Sequence, residues 1–182
     1  GALSATTDAS NSAIILDQLA VDGTVALTTN GNGAATVVND AGLNFAASTV
    51  GGNLAATATT GNMTDSGALA ISGTTELITS ANNATITLNN TNAFTGAVTI
   101  TTNDDSGANA DVTIDGGTTA LILAASTIDG DLTVRSGHAS GITDDGLVTV
   151  GGNLAATTDA ASGVINLGTL AVDGTVQLTT AG

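Results

Sequence analysis

Residues 19–29 read LAVDGTVALTT, and residues 170–180 read LAVDGTVQLTT. A looser copy, LAISGTTELIT, fills 69–79, GGNLAAT recurs at 51–57 and 151–157, and AASTVGGNL at 46–54 is echoed by AASTIDGDL at 124–132. Self-similarity of this kind marks stacked units that share one continuous core. In the last copy Leu170, Val172, Val176 and Leu178 share one parity with Gly174, whereas Ala171, Asp173, Thr175, Gln177 and Thr179 take the other. That alternation is the signature of a strand with one buried face. Apolar spacing of the helical kind is absent.

Aligning the copies on glycine gives anchors at Gly23, Gly52, Gly73, Gly96, Gly130, Gly152 and Gly174, most of them 21 to 23 residues apart. The spacing predicts an all-β fold, a parallel β-helix (β-solenoid) of roughly seven to eight coils of about 22 residues, forming a rod roughly 35 to 40 Å long. Residues 1–182 are expected to form a single solenoid segment, part of a longer array. Val21, Val25, Leu27, Ile71, Leu77, Val98, Ile100, Leu132, Val134, Leu154, Val172, Val176 and Leu178 are expected to point inward. The 34-residue interval between Gly96 and Gly130 is read as a protruding loop at 101–112, with a second candidate at 135–146. Glycine, Asn, Asp and Ser fill the joints, and the absence of Pro fits central strands that donate and accept on both sides.

Composition narrows function. Aromatic residues make up 1% of the chain, so the bore is expected to be narrow and aliphatic, with Phe45 and Phe94 as exceptions. Sixteen acids face one cation, Arg135, for a formal net charge of −15, which argues against nucleic acid or an anionic membrane as partner. The lack of Cys excludes disulfides and thiolate metal sites. The longest aliphatic run, ALILAA at 120–125, is too short to span a bilayer, and GALSATTDAS is not expected to act as a signal peptide. Neither GALSATTDAS nor GTVQLTTAG offers a polar cap, so the terminal coils are expected to be paired in the native material.

A larger module lies above the coil. LNFAASTVGGNL at 43–54 aligns with LILAASTIDGDL at 121–132, and MTDSGALAISG at 63–73 with ITDDGLVTVGG at 142–152, at offsets of 78 and 79. The strings ATITLNNTNAFTGAVTIT at 84–101, ALILAASTIDGDLTV at 120–134 and ITDDGLVTVGGNL at 142–154 resemble repeats of very large secreted β-helical exoproteins. These are the filamentous-haemagglutinin-like and autotransporter-adhesin-like surface proteins of Gram-negative bacteria. The resemblance implies a right-handed β-helix, extracellular display at the bacterial cell surface, and a structural or adhesive role in a surface fibre or biofilm. A self-polymerising subunit of an extracellular filament or surface layer is the alternative. Expected partners are neighbouring coils or copies stacked end to end, and cell-surface glycans or proteins.

Candidate chemistry is sparse, and no catalytic or cofactor-binding residue is assigned. Arg135 and His138 lie close in sequence, but without Lys, Trp or Tyr the equipment of a polysaccharide lyase or hydrolase is missing, and a solvated corner is the expectation. Asp104, Asp105 and Asp111, and separately Asp144 and Asp145, are candidate oxygen ligands for Ca²⁺, against which stands the ordinary role of Asp in turns. The TIT triplets at 85–87 and 99–101 resemble ice-facing ranks, yet they do not recur at one place in successive coils, which leaves Thr as a good outward strand residue. Asn89, Asn90 and Asn92 are expected to form side-chain ladders.

Overall fold

The computed structural model describes residues 1–105 and 109–182. Every described strand pair is parallel, and no helix is present among the described residues. After β1 (Leu3–Thr6) the chain winds through eight coils. They comprise β2 (Ile14–Leu19) and β3 (Thr24–Thr28); then β4 (Ala35–Asn39), β5 (Leu43–Phe45) and β6 (Ser48–Val50); then β7 (Leu54–Ala58), β8 (Met63–Asp65) and β9 (Leu69–Ile71). Next come β10 (Thr75–Asn82), β11 (Ile86–Leu88) and β12 (Ala93–Phe94), followed by β13 (Val98–Asn103) and β14 (Val112–Asp115). The last three coils are β15 (Leu121–Leu123), β16 (Ser126–Ile128) and β17 (Leu132–Ser136); β18 (Ile142–Asp144), β19 (Val148–Val150) and β20 (Leu154–Thr158); and β21 (Ile165–Asn166), β22 (Leu170–Val172) and β23 (Val176–Thr180). The expected β-solenoid is the observed fold.

Period-two alternation stacks like on like. In the first sheet Leu43, Met63, Ile86, Val112, Leu132, Leu154 and Val176 form one inward rung through successive coils. In the second, Leu16, Val37, Ala56, Leu77 and Ile100 do the same. Each fully buried aliphatic side chain contributes about 1.5 to 3 kcal/mol, so a narrow bore is stabilised without wide rings. Of the thirteen residues expected inside, Val25, Leu27, Ile71, Leu77, Val98, Ile100, Leu132, Val134 and Leu154 are fully buried. Val21 and Val172 are half-buried, while Val176 and Leu178 keep the inward register but are 49% and 52% exposed, because no strand is seated on the outer edge of β23.

The long faces fork, each once. β3 pairs with β5 through Val25 and Phe45, and with β6 through Thr28 and Thr49; β13 likewise pairs with β15 through Val98 and Leu123, and with β16 through Thr101 and Thr127. One straight strand thus meets a bent one, and the bend withdraws a backbone acceptor. A serine replaces it. Ser48 Oγ accepts the Leu27 N–H at 3.0 Å and donates to Ala46 O at 2.8 Å; Ser126 Oγ accepts from Ile100 at 3.0 Å and donates to Ala124 O at 2.8 Å. Both serines are buried. Ser126→Ala leaves the Ile100 N–H without an acceptor, and an expected loss of about 1 to 3 kcal/mol, read by urea unfolding, checks this assignment.

The two forks occupy opposite sheets, and the offset explains why. Seventy-eight residues are about three and a half coils, so the second module starts half a turn round the rod from the first. The same rule puts GGNLAAT of β7 in the second sheet and its copy in β20 in the first.

It also bears on the 34-residue interval. Of the anchor glycines, Gly52, Gly73 and Gly96 stack in one column on Gly33, and Gly130, Gly152 and Gly174 stack in another, where coil backbones touch, while Gly23 lies against Gly1 and in neither run. A Cβ on Gly73 would lie 2.6 Å from the Gly52 carbonyl carbon, and one on Gly174 would lie 2.5 Å from Gly152 O. The interval contains the one-and-a-half-coil step between columns, and within it the corner from Asn103 to Val112 is five residues longer than the corner from Asn82 to Ile86 on which it stacks.

Of the loop expected at 101–112, Thr101–Asn103 continue β13, Val112 opens β14, and residues 106–108 lie outside the described residues. The expected loop at 135–146 is a corner of ordinary length: Arg135 and Ser136 close β17, Ile142–Asp144 is β18, and Gly137 N–H bonds Gly117 O in the coil below.

Candidate functional surface

The corners carry the polar chemistry. At a corner the backbone turns away from the rod axis, so its N–H groups lose their cross-coil carbonyls and need side-chain acceptors. An Asx column supplies them. Asp111 Oδ1 accepts the Asp131 N–H at 2.8 Å, Asp131 Oδ1 accepts that of Asn153 at 2.6 Å, and Asn153 Oδ1 accepts that of Thr175 at 2.9 Å. Each side chain brackets the same corner of the next coil.

The duplicated T-D motif works alike. The Asp65 carboxylate accepts from the N–H groups of Asn89 and Asn90 at 3.1 and 3.3 Å, and Asp144 accepts from Gly168 and Thr169 at 2.9 and 2.6 Å. Of the five candidate Ca²⁺ ligands, four accept hydrogen bonds from the protein. Asp104 Oδ2 accepts from Asn109 N–H at 3.2 Å, Asp105 accepts from Asn82 Nδ2 at 2.8 Å, Asp111 and Asp144 serve the corners just described, and Asp145 is exposed.

The expected asparagine ladder takes another form. Asn92 is buried and joins two coils, receiving the Leu69 N–H at 2.7 Å and donating to Asp65 Oδ2 at 2.8 Å and Leu88 O at 3.2 Å. Asn89 and Asn90 donate to Asp65 rather than to stacked asparagines.

Arg135 lies on the outer face of β17, between Asp115 one coil below and Thr157 one coil above. Its Nε donates to Asp159 and its Nη1 lies 3.4 Å from Asp115, while the side chain stays 55% exposed. The Asp159 hydrogen bond, then the charges of Asp159 and Asp115, hold the guanidinium above its ordinary pKa. A groove of about 240 Å³ beside it is lined by Thr91, Gly117 and Thr118, with no second cation. His138 accepts the Ser140 N–H on Nδ1 at 3.0 Å. This is the exposed corner that the sequence led us to expect. Arg135→Gln should shift the unfolding free energy by less than about 1 kcal/mol, since the pair is solvent-screened; a larger loss in urea titration would contradict it.

Threonine does recur in a column, which the scattered triplets concealed. Thr64, Thr87, Thr113 and Thr133 are aligned partners in four consecutive coils of the first sheet. The rank is one residue wide: Asn62, Thr85, Asp111 and Asp131 flank it on one side and Asn89, Asp115 and Arg135 on the other. The face is mixed and polar, not a lattice of threonines.

The family described as repeats of unknown function (DUF5649) matches residues 32–101 and 109–167, more than two thirds of the chain. The two matched units begin 77 residues apart, close to the internal offset of 78 to 79 that places modules on opposite faces. No curated protein and no solved structure matches the chain. A solenoid whose three-and-a-half-coil module corresponds to the matched unit thus belongs to this family of repeats.

Proposed function

We propose that the chain is a structural, non-enzymatic segment of a bacterial cell-surface fibre or adhesin, displayed outside the cell. The observation that supports this best is the destination of the polar side chains. Asp65, Asp111, Asp131, Asp144, Asn92 and Asn153 all reach to a neighbouring coil, so the chemistry of the surface is spent on holding a rod together. None of the sixteen acids is buried, and the one Arg is ion-paired, which leaves an anionic exterior suited to solvated extension and unsuited to phosphate backbones. Partners in this reading are neighbouring coils or copies, with cell-surface glycans or proteins on the outward faces. The resemblance to haemagglutinin-like and autotransporter-adhesin-like exoproteins points the same way.

The test is immunogold microscopy of intact source cells with antibody against residues 1–182, followed by the mass of the precipitated polypeptide. Label on the outer surface and a mass many times 17.3 kDa are expected. Label confined to the cell interior would refute surface display. A surface polypeptide near 17.3 kDa would instead favour the polymerising subunit, the reading to which the half-exposed Val176 and Leu178 lend support.

A further inference from the structure

The stretch from β1 to β3 recurs as the stretch from β20 to β23. LSATTDASNSAIILDQLAVDGTVALTT at 3–29 aligns without a gap on LAATTDAASGVINLGTLAVDGTVQLTT at 154–180, identical at 18 of 27 positions, at a constant offset of 151. The structure repeats with the sequence. Leu3 pairs with Val25 and Ala5 with Leu27, as Leu154 pairs with Val176 and Ala156 with Leu178. Two of the three non-glycine residues with positive φ, Asn11 at 62° and Ser162 at 64°, are also 151 apart. Both copies lie in the first sheet, as seven whole coils require.

The copies differ in what covers them. β3 carries the forked pair β5 and β6: Val25 aligns with Phe45, Ala46 N–H bonds Val25 O at 3.0 Å, and Leu27 N–H bonds Ser48 Oγ at 3.0 Å. Val25 and Leu27 are fully buried beneath it, whereas Val176 and Leu178 are about half exposed. We propose that the array recurs every 151 residues, and that the free edge of β23 takes a forked strand of the Leu-x-Phe-Ala-Ala-Ser type, with its serine hydroxyl on the Leu178 N–H, from the next unit. Equivalent surfaces then recur on one face every seven coils, about 34 Å, with half-period copies on the opposite face. This rests on the chain being part of a longer array, and it adds the phase in which the array continues.

The test replaces Ala181 and Gly182 with residues 30–58 of the same chain, which follow β3, and in a second protein with the same residues carrying Ser48→Ala in the added copy. Amide exchange at Leu178 is the readout, and slow exchange at Leu77 and Ile100 confirms an intact rod in each. The 30–58 extension is expected to slow Leu178 at least about a hundredfold over the 1–182 chain, and the Ser48→Ala copy to lose most of that protection while still slowing Val176. Equal protection of Leu178 by both would overturn the forked phase while sparing the array. Protection by neither, with Val176 also fast, would overturn phase and array together.

Discussion

Val98→Asp is expected to break the solenoid at its middle. Val98 lies on β13 between Thr75 and Leu123 of the adjoining coils, with no exposed surface. A carboxylate there meets the Thr75 hydroxyl and otherwise apolar rungs, with no cation to pair it, since the chain's one Arg is committed to Asp159 and Asp115 on the outside. An unpaired buried polar or charged group costs about 4 kcal/mol or more, a large part of a domain's net stability. Because each coil touches only its neighbours, the damage stays local. Amides of Leu77, Ile100 and Leu123 should lose protection first, while those of Val37 and Val150 keep theirs. Wild-type exchange at all five positions would show that Val98 is not inside.

Phe45→Ala is expected to cost about 3 to 5 kcal/mol, as deletion of a buried aromatic ring usually does. Phe45 and Phe94 are the chain's only aromatic residues, and both are fully buried where the cross-section changes. Phe45 ends β5, at the fork over β3, and Phe94 stacks on Ile71 in the last strand of that fork's side branch. At such places a rung lacks a matching neighbour, and a ring fills the added volume. Thermal unfolding of Phe45→Ala and Phe94→Ala checks this. A loss no larger than that of Val37→Ala would mean that the rings fill no special space.

Alternation around the glycine anchors made the strands, their inward parity and the coil length legible, since a one-residue slip would have turned every Val and Leu outward. The face of the rod on which each copy falls was not legible. Gly96 and Gly130 share a motif, and only three-dimensional stacking shows that they belong to different columns half a coil apart. The fork serines were hidden for a similar reason. The AAST motif is plain in sequence, but the donors that Ser48 and Ser126 satisfy are Leu27 and Ile100, 21 and 26 residues away. Asp111 and Asp144 invited a metal reading because both are short acids near turns. Their corner roles depend on N–H groups of the following coil, which local spacing does not reveal.

The central claim is that residues far apart in sequence occupy one straight column of stacked parallel coils. Thr24 and Gln177 are the far members of such a column, linked through Asn44, Thr64, Thr87, Thr113, Thr133 and Ala155 by seven coil steps. The chain has no Cys, so Thr24→Cys and Gln177→Cys can be spin-labelled without background and their separation measured by pulsed electron resonance. Seven steps of about 4.8 Å give a narrow distribution centred near 34 Å. A distribution centred below about 20 Å, as a sandwich folded back on itself would give, or one as broad as an unfolded chain's, would contradict the solenoid.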